Sequence, residues 1–578
     1  MLRLTYPTRD ALRRVPFGLA DIAVLFGLLG LLFLIVRVGT GTLVRFQPPA
    51  VVPGVSLDPA HLPYYAARSI LRMFVALGGS WLFTLVYGYA AARSRRAERV
   101  LVPLLDVLQS VPVLGFLSVT ITGFIALFPG SLLGLEAASI FAIFTGQAWN
   151  MAFSFYQSLK SLPTQLDEAA RLYRLPRWQR FKRLEVPAAM IGLIWNSMMS
   201  FGGGWFFLAA SEAISVLNKR YTLPGIGAYV AEAIAARDMH ALALALLTMA
   251  VTIISIDQLF WRPLVAWSDK FKLEVRAAVE PPRSWMLDLL RQSHLPRLAG
   301  RALGPLSELV DDVLSQLTPA GPAQRSYHSA DRWLDWAFNG LLVIIVLGLA
   351  MSGLRFVLSE VGPAELGHTA LLGLATFGRV ILLVVLSTLI WVPIGVWIGF
   401  NPRIAQIAQP VVQLLASFPA NFIFPFVTLA LLATGISVNW GAILLMALGT
   451  QWYILFNVIA GAMSIPNDLR EMAVSFRGRG LVLWRDLIIP GIFSAWVTGG
   501  ITAAGGAWNA AIVAEVVTWG NTSLVAFGLG AYIAQATAAG DWPRIALGVG
   551  TMTIYVVAFN RLFWRQLYRL AETRYRLI

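Results

Sequence analysis

Long apolar runs recur along almost the whole chain and constrain its fold more than any other feature. Examples are GLADIAVLFGLLGLLFLIVRV, MFVALGGSWLFTLVYGYAAA and ALALALLTMAVTIISIDQLFW. Each is close to the roughly 20 residues that an α-helix needs to cross a bilayer. The runs lack the strict alternation of barrel strands and therefore predict helices. We expect an all-α membrane protein with about twelve spans, six in each half of the chain.

Lysine and arginine flank these spans instead of forming one basic domain, although the chain has a net charge of +15. This distribution is typical of membrane topology and does not indicate nucleic-acid binding. Basic clusters occur before the first span, at residues 93–99, in the centre of the chain and at residues 561–576. The clusters are expected to face the cytoplasm, together with both termini. We therefore predict a multi-pass protein of the plasma (bacterial inner) membrane.

Motifs of hydrolytic or ATP-binding sites do not occur in the sequence. Cysteine is absent, and the five histidines never pair at helical spacing. No HExxH, GxSxG or GxxxxGK[ST] sequence is present. The sequence thus indicates neither a metal site nor an enzyme.

The two halves of the chain repeat each other. FGGGWFFLAASE at residues 201–212 matches AGGAWNAAIVAE at residues 504–515, a spacing of 303 residues. Upstream the spacing is 307, because Pro112 corresponds to Pro419. Six spans return the chain to its starting side, so the halves should have the same orientation and form a pseudo-dimer.

This repeat predicts three consecutive domains. A first transmembrane domain covers residues 1–265, a cytoplasmic linker residues 266–332 and a second transmembrane domain residues 333–578. The linker is polar, basic and interrupted by Pro and Gly, as in VEPPRSWMLDLLRQSHLPRLAGRALGPL. It is expected to contain two short amphipathic helices.

Each half also contains one charged segment. We call SLPTQLDEAARLYRLPRWQRFKRLEVP (161–187) the first charged segment and SIPNDLREMAVSFRGRGLVLWRDLIIP (464–490) the second. Apolar side chains at helical spacing define one face in each. They are Leu166, Ala169, Ala170 and Tyr173 in the first, and Leu469, Met472, Ala473 and Phe476 in the second. Two short cytoplasmic helices are predicted in each segment; the alternative is an amphipathic helix resting on lipid headgroups.

The sequence DEAARLYRLPRWQRFKRLEVP resembles the EAA loop of ABC importer permeases. The segments GGGW, SE and GIGAYV, with the closing LFWRPLVAWSDKF, resemble the nitrate, sulfonate and taurine branch, including its duplicated anion-transport permeases. The resemblance implies the type I ABC importer permease fold of a binding-protein-dependent inner membrane component. The implied partners are two copies of an ABC ATPase, which would bind ATP and Mg, an extracytoplasmic substrate-binding protein and the lipid bilayer. No cofactor in this chain and no nucleic acid is expected.

In that family the EAA loop is a coupling helix that docks in a cleft of the ATPase. The matching residues of this chain are Glu168, Ala169, Ala170, Tyr173 and Arg174, and Glu471, Met472, Ala473, Phe476 and Arg477. Two departures are evident. Arg174 and Arg477 replace the glycine expected six residues after the glutamate, and Met472 replaces an alanine. The loop is therefore expected to turn one residue later than in the family.

Arg72 and Arg379 lie at corresponding positions inside otherwise apolar spans. An unpaired guanidinium in the membrane costs at least about 3 kcal/mol. We interpret both arginines as facing a wet cavity at the outer mouth of the substrate pathway, where the planar guanidinium suits an oxyanion. The alternative is snorkelling to the headgroups or capping of a neighbouring helix.

Further pathway candidates lie on the fifth span of each half. They are Asn196, Trp205, Phe206 and Glu212 in the first half, and Trp508, Asn509 and Glu515 in the second. Phe206 corresponds to Asn509, which would make the pathway asymmetric. The glycines beside the tryptophans also suit close helix packing. Glu212 and Glu515 end their spans, where we expect them to cap helices or interact with arginines instead of contacting an anion directly; direct contact with the anion is the alternative.

The sequence therefore predicts the permease of an ATP-driven importer for a small anion of the nitrate, sulfonate, taurine or bicarbonate class. The alternative is a twelve-helix secondary transporter driven by an ion gradient, which also has parallel halves. The repeated charged segment favours the importer, and the scarcity of acidic residues within spans disfavours a proton relay.

Overall fold

Helices form nearly all regular structure in the computed structural model. It describes residues 19–40, 54–129, 131–216, 219–271, 284–318, 329–466, 468–469, 471–472 and 480–574. Within these ranges strands occur only in two short hairpins. The predicted all-α class is confirmed.

The first half contains eleven helices and one hairpin among its described residues. The helices are α1 (Leu19–Thr40), α2 (Leu62–Arg93), α3 (Arg95–Ser110), α4 (Leu117–Leu127), α5 (Leu133–Lys160), α6 (Thr164–Leu172), α7 (Arg177–Arg180), α8 (Val186–Glu212), α9 (Ile226–Ala236), α10 (Met239–Ile256) and α11 (Arg262–Ser268). Strands β1 (Ala213–Val216) and β2 (Lys219–Thr222) pair in antiparallel register.

The linker and the second half continue the same pattern. Their helices are α12 (Trp285–Gln292), α13 (Leu295–Leu317), α14 (Ser329–Glu360), α15 (Pro363–Gly399), α16 (Pro402–Ser417), α17 (Phe424–Thr434), α18 (Val438–Ser464), α19 (Leu481–Leu483), α20 (Ile489–Ala514), α21 (Leu529–Ala539), α22 (Trp542–Phe559) and α23 (Arg565–Arg574). Strands β3 (Val516–Trp519) and β4 (Thr522–Val525) form the second hairpin. The linker has the two predicted amphipathic helices, but α13 is long, with 23 residues.

Seven stretches of the described residues are long and apolar enough to cross a membrane. They are Pro59–Arg93, Met239–Phe271, Val343–Glu360, Pro363–Gly399, Val438–Met463, Leu481–Ala514 and Trp542–Ala571. Helices α5 and α8 are the counterparts of α18 and α20 in the repeat, and at 28 and 27 residues they are also long enough. The third helix of each half is short as predicted, since α4 and α17 have 11 residues each.

A π-helical turn joins the short helix of each charged segment to the next long helix. It covers Phe181–Glu185 between α7 and α8, and Trp484–Ile488 between α19 and α20. The predicted second short helix is therefore not separate but begins the long helix. Pro187 and Pro490 are the second residues after these turns, and a wider turn accommodates a residue that cannot donate a backbone hydrogen bond.

The chain divides into two compact units. One combines Met1–Thr40, Ser161–Trp195 and Ser255–Arg325, where α13 packs against α7 and α1, and α12 against α1 and α11. The other combines Gly41–Lys160, Asn196–Ile254 and Ser326–Ile578. In it α2 packs along α5, and α18 lies between α15 and α20. The division into two transmembrane domains and a linker stays a prediction.

Candidate functional site

Arg72 is the centre of a buried cluster of charges in the first half. Its Nε donates to Oε2 of Glu136 at 2.5 Å, and its Nη1 donates to Oε1 of Glu212 at 2.6 Å. Arg68 also donates to Glu136. All four side chains are at most 2% exposed. Because two guanidiniums face two carboxylates, this first cluster is formally neutral.

Arg379 forms the corresponding second cluster. Its Nη1 donates to Oε1 of Glu515 at 2.7 Å, and its Nη2 donates to Oδ1 of Asn439 at 2.8 Å. Thr376 adds a hydroxyl donor to the same glutamate oxygen at 2.8 Å. Arg379 and Glu515 are both buried. One guanidinium and one carboxylate make this cluster formally neutral as well.

The first and second clusters are both formally neutral, although two charged residues of the first correspond to uncharged residues of the second half. Glu136 of the first half corresponds to Asn439 of the second, which lacks the charge. Arg68 corresponds to Ala375, so the second half has lost one cation along with one anion. A buried charge without a partner is strongly unfavourable, which explains why the two changes occur together.

The two glutamates also bind the start of a short helix. Glu212 Oε2 accepts from the backbone N–H of Gly227 at 2.6 Å, near the start of α9. Glu515 Oε2 accepts from Ala531 at 3.1 Å, near the start of α21. Free N–H groups at a helix start favour a carboxylate. Gly225 permits the approach, because any Cβ there would overlap the Glu212 carboxylate.

The guanidinium groups of Arg72 and Arg379 are held by the protein itself, and a role of these arginines in a substrate pathway stays a prediction. In each residue, all three guanidinium nitrogens donate to acceptors of the protein. The fourth acceptor is a backbone carbonyl, from Pro224 or Phe527, at 3.0 Å in both cases. The arginines thus tie helices and hairpin ends together. Glu212 and Glu515 each pair with an arginine and bind the start of a helix, as expected from the sequence.

Sequence reasoning missed Arg68, Ser69, Glu136, Thr376 and Asn439 as members of these clusters. A signal was available in the repeat, since Ser69 aligns with Thr376 and each donates a hydroxyl to the glutamate. Glu136 was overlooked because it lies at the start of α5, where a carboxylate is ordinary.

The C-terminal third of the fifth span contacts the opposite half. The backbone N–H of Val113 donates to Oδ1 of Asn509 at 3.0 Å. At the matching place, Asn421 Nδ2 approaches the backbone oxygen of Phe206 at 3.5 Å. Each contact joins a 3-10 turn of one half to a long helix of the other. Phe206 and Asn509 therefore lie where the halves meet and give the two contacts different chemistry.

The remaining candidates on the fifth span are packed inside the protein. Trp205 is buried edge-on against Phe201, and Trp508 is buried in a stack with Phe377. Asn196 donates to Oγ of Ser154 at 2.9 Å and so links α8 to α5. A role of these residues in a substrate pathway stays a prediction.

The first charged segment turns at Arg174, which has a positive φ of 49°. Tyr173 N–H donates to the oxygen of Ala169, and Leu175 N–H to the oxygen of Ala170, at 3.0 and 3.1 Å. The first is an ordinary helical bond, whereas the bond from Leu175 spans the left-handed residue Arg174 and is typical of the Schellman ending of a helix. The expected shift of the turn by one residue is wrong: the chain turns where the resemblance places glycine, and arginine adopts the conformation instead.

The predicted apolar face of this segment is divided between two environments. Ala170 is buried and Ala169 half-buried, whereas Tyr173 is 78% exposed. Leu172, which is not part of that face, is 83% exposed beside it. Glu168 is exposed beside them. The small residues therefore fit the helix into its own unit, and the large residues at the helix end are free for contact with another protein.

The second charged segment is described only in part. Glu471 and Met472 are both exposed. Ala473, Phe476 and Arg477 lie outside the described residues.

Arg180 connects the two helical parts of the first charged segment. Its Nε donates to Oε1 of Glu185 at 2.8 Å, and its Nη2 donates to Asp167. Asp167 lies on α6 and Glu185 in the π turn before α8. The bridge therefore couples the orientation of α6 to the start of a long helix.

Replacement of Arg379 by Gln should destabilise the protein. The variant leaves Glu515 buried without its cation, and breaking a buried ion pair costs about 3–5 kcal/mol. Thermal unfolding of the purified protein in detergent should show a clearly lower midpoint. Arg544→Gln is the matched control, because its pair with Asp541 is exposed and contributes about 1 kcal/mol or less. An unchanged midpoint in Arg379→Gln would contradict a structural role.

Comparison with known proteins identifies the family of this chain. Residues 84–260 and 391–576 match the family described as binding-protein-dependent transport system inner membrane component, once in each half. A protein of Methanocaldococcus jannaschii, provisionally named an ABC transporter permease protein, is 26% identical over 146 residues. That match covers 25% of this chain and 53% of the relative, so the chain spans about half the length of that relative. The chain belongs to the family of binding-protein-dependent transport system inner membrane components.

Proposed function

We propose that this chain is the membrane-spanning permease of an ATP-driven importer, on which two copies of a separate ABC ATPase dock. Its family is one of inner membrane transport components that depend on a binding protein. The single observation that carries the docking is the exposed pair Leu172 and Tyr173 at the end of α6. Exposed aromatic and aliphatic side chains within a polar surrounding are typical of the centre of a protein interface.

A movement of α6 caused by the ATPase would be transmitted directly to the membrane helices. Arg180 joins α6 to the π turn, and that turn continues into α8, which carries Phe206 and Glu212. A push on the first charged segment therefore moves a helix that contacts the opposite half through Phe206. Substrate would pass between the halves when these contacts open.

The substrate we propose is a small anion of the nitrate, sulfonate, taurine or bicarbonate class, delivered by an extracytoplasmic binding protein. This proposal rests on the sequence resemblance and not on Arg72 or Arg379. Instead of an arginine, neutral N–H groups of the protein can bind an anion. We propose the side-chain amide of Gln147 as such a donor. Gln147 is buried beside Gly204, and its Nε2 finds no acceptor within the described residues.

A secondary transporter is the less favoured function. A proton relay needs acidic groups that gain and lose protons along the membrane. Glu136, Glu212 and Glu515 are instead held by buried arginines. Membership in a binding-protein-dependent family also favours the importer.

Reconstitution tests the proposed function. The permease is placed in vesicles with its ATPase, and the binding protein is added with nitrate, bicarbonate, a sulfonate or taurine. We expect one of these solutes to stimulate ATP hydrolysis and to accumulate only when ATP is present. Accumulation driven by an ion gradient without ATP would contradict an importer, and stimulation by a cationic solute alone would contradict the anion class.

The Tyr173→Ala variant tests where the ATPase docks. Removal of a central aromatic side chain from an interface costs about 2 kcal/mol or more, which corresponds to roughly 30-fold weaker binding. Titration of the ATPase against the reconstituted permease measures this change. Gln165→Ala is the control, because Gln165 is exposed at the start of the same helix, whereas Tyr173 follows its last residue. Equal affinity of both variants would place the ATPase elsewhere.

A further inference from the structure

Helix α13 of the central linker is attached to the start of α1 at its N-terminal end. Asp21 lies in the first turn of α1 and is 1% exposed. Its Oδ1 accepts from Oγ of Ser293 at 2.9 Å and from the backbone N–H of His294. Its Oδ2 lies 3.0 Å from Nδ1 of His294. A buried carboxylate with several donors is a firm attachment for the junction between α12 and α13.

The other end of α13 caps a helix of the first charged segment. Helix α7 begins after Pro176, which offers no side-chain cap. The first N–H groups of a helix need acceptors from outside it. Thr318 supplies two of them: its backbone oxygen accepts from Arg177 N–H at 3.0 Å, and its Oγ1 accepts from Trp178 N–H at 3.2 Å. The linker thus performs the task of a missing N-cap residue.

Asp311 makes a second attachment to the same short helix and the turn that follows it. Its Oδ1 accepts from Nε1 of Trp178 at 2.9 Å, and its Oδ2 accepts from Nζ of Lys182 at 2.6 Å. The hydrogen bonds from Lys182 and from Trp178 hold the pKa of the Asp311 carboxyl below its usual range. The carboxylate is therefore ionised at neutral pH, with each oxygen bound to a different donor.

The second charged segment has different residues at the three matching positions. Arg177, Trp178 and Lys182 correspond to Gly480, Leu481 and Arg485. A leucine cannot donate to a carboxylate, and Leu481 is 87% exposed. Arg485 pairs instead with its neighbour Asp486 at 3.1 Å. Among the described residues, these attachments therefore belong to the first segment alone.

We propose that α13 is a brace for the first charged segment and that Asp311 is a positioning residue for coupling to the ATPase. The brace acts through Trp178 and Lys182 and fixes the start of the helical stretch that leads into α8. The two ATPase subunits consequently dock on segments of unequal stiffness. This inference rests on the proposed function for its effect on transport, whereas the brace itself does not.

Hydrogen exchange of the purified full-length chain tests the brace without any partner. Asp311→Ala should increase exchange of backbone amides at residues 177–185 by about fivefold or more, because charge-assisted hydrogen bonds are lost. Exchange at residues 481–488 should not change. Asp311→Glu keeps the carboxylate and should restore much of the protection. Asp312→Asn is the matched control, since Asp312 is exposed on the same helix.

Two results would overturn the brace. One is unchanged exchange at residues 177–185 in Asp311→Ala, and the other is an equal increase in Asp312→Asn.

The number of substrate molecules imported per ATP hydrolysed tests the positioning role in vesicles. Asp311→Ala should lower this ratio at least about twofold, while hydrolysis without substrate continues, because the ATPase still docks on α6. An unchanged ratio together with increased exchange would contradict positioning. If no ATPase binds even to the parental chain, the proposed function fails, and hydrogen exchange still decides whether the brace exists.

Discussion

Neutralisation of charge inside a membrane protein is the constraint on which the rest of this structure depends. Arg72 and Arg379 lie within long apolar helices, where an uncompensated guanidinium would be strongly unfavourable. Glu212 and Glu515 supply the opposite charge from the end of another long helix. The same carboxylates bind the starts of α9 and α21. One ion pair therefore fixes a membrane helix, the end of its neighbour and the hairpin that follows.

The two halves share one architecture but have different residues at several matching positions. The first half has a second ion pair through Arg68 and Glu136, and the second half replaces both partners. Phe206 and Asn509 give unequal contacts where the halves meet. The linker binds the first charged segment through Asp311. Because the two halves of one chain differ in sequence, each half can make contacts that the other half does not make. Two identical chains would make the same contacts on both sides.

The sequence predicted the helices, the repeat and the charged segments, because each is visible in local periodicity or in the alignment of the halves. It indicated that Glu212 could interact with an arginine but not which one, and it did not predict Glu136 as a partner of Arg72, since the two glutamates lie 140 and 64 residues away from Arg72. Only packing of α2 against other helices brings them together. The turn at Arg174 was also misplaced, because backbone hydrogen bonds outweigh the usual preference for glycine in a left-handed conformation.

The most direct test of whether charge balance stabilises the first cluster is to replace its residues by those at the matching positions of the second half. Glu136→Asn alone leaves Arg68 buried without its carboxylate, and the free energy of unfolding should fall by about 3–5 kcal/mol. The double variant Arg68→Ala with Glu136→Asn reproduces the second cluster except that Ser69 remains in place of threonine. Thermal unfolding in detergent should show the double variant more stable than the Glu136→Asn single variant and close to the parental chain. A double variant as unstable as the sum of its single variants would contradict the account.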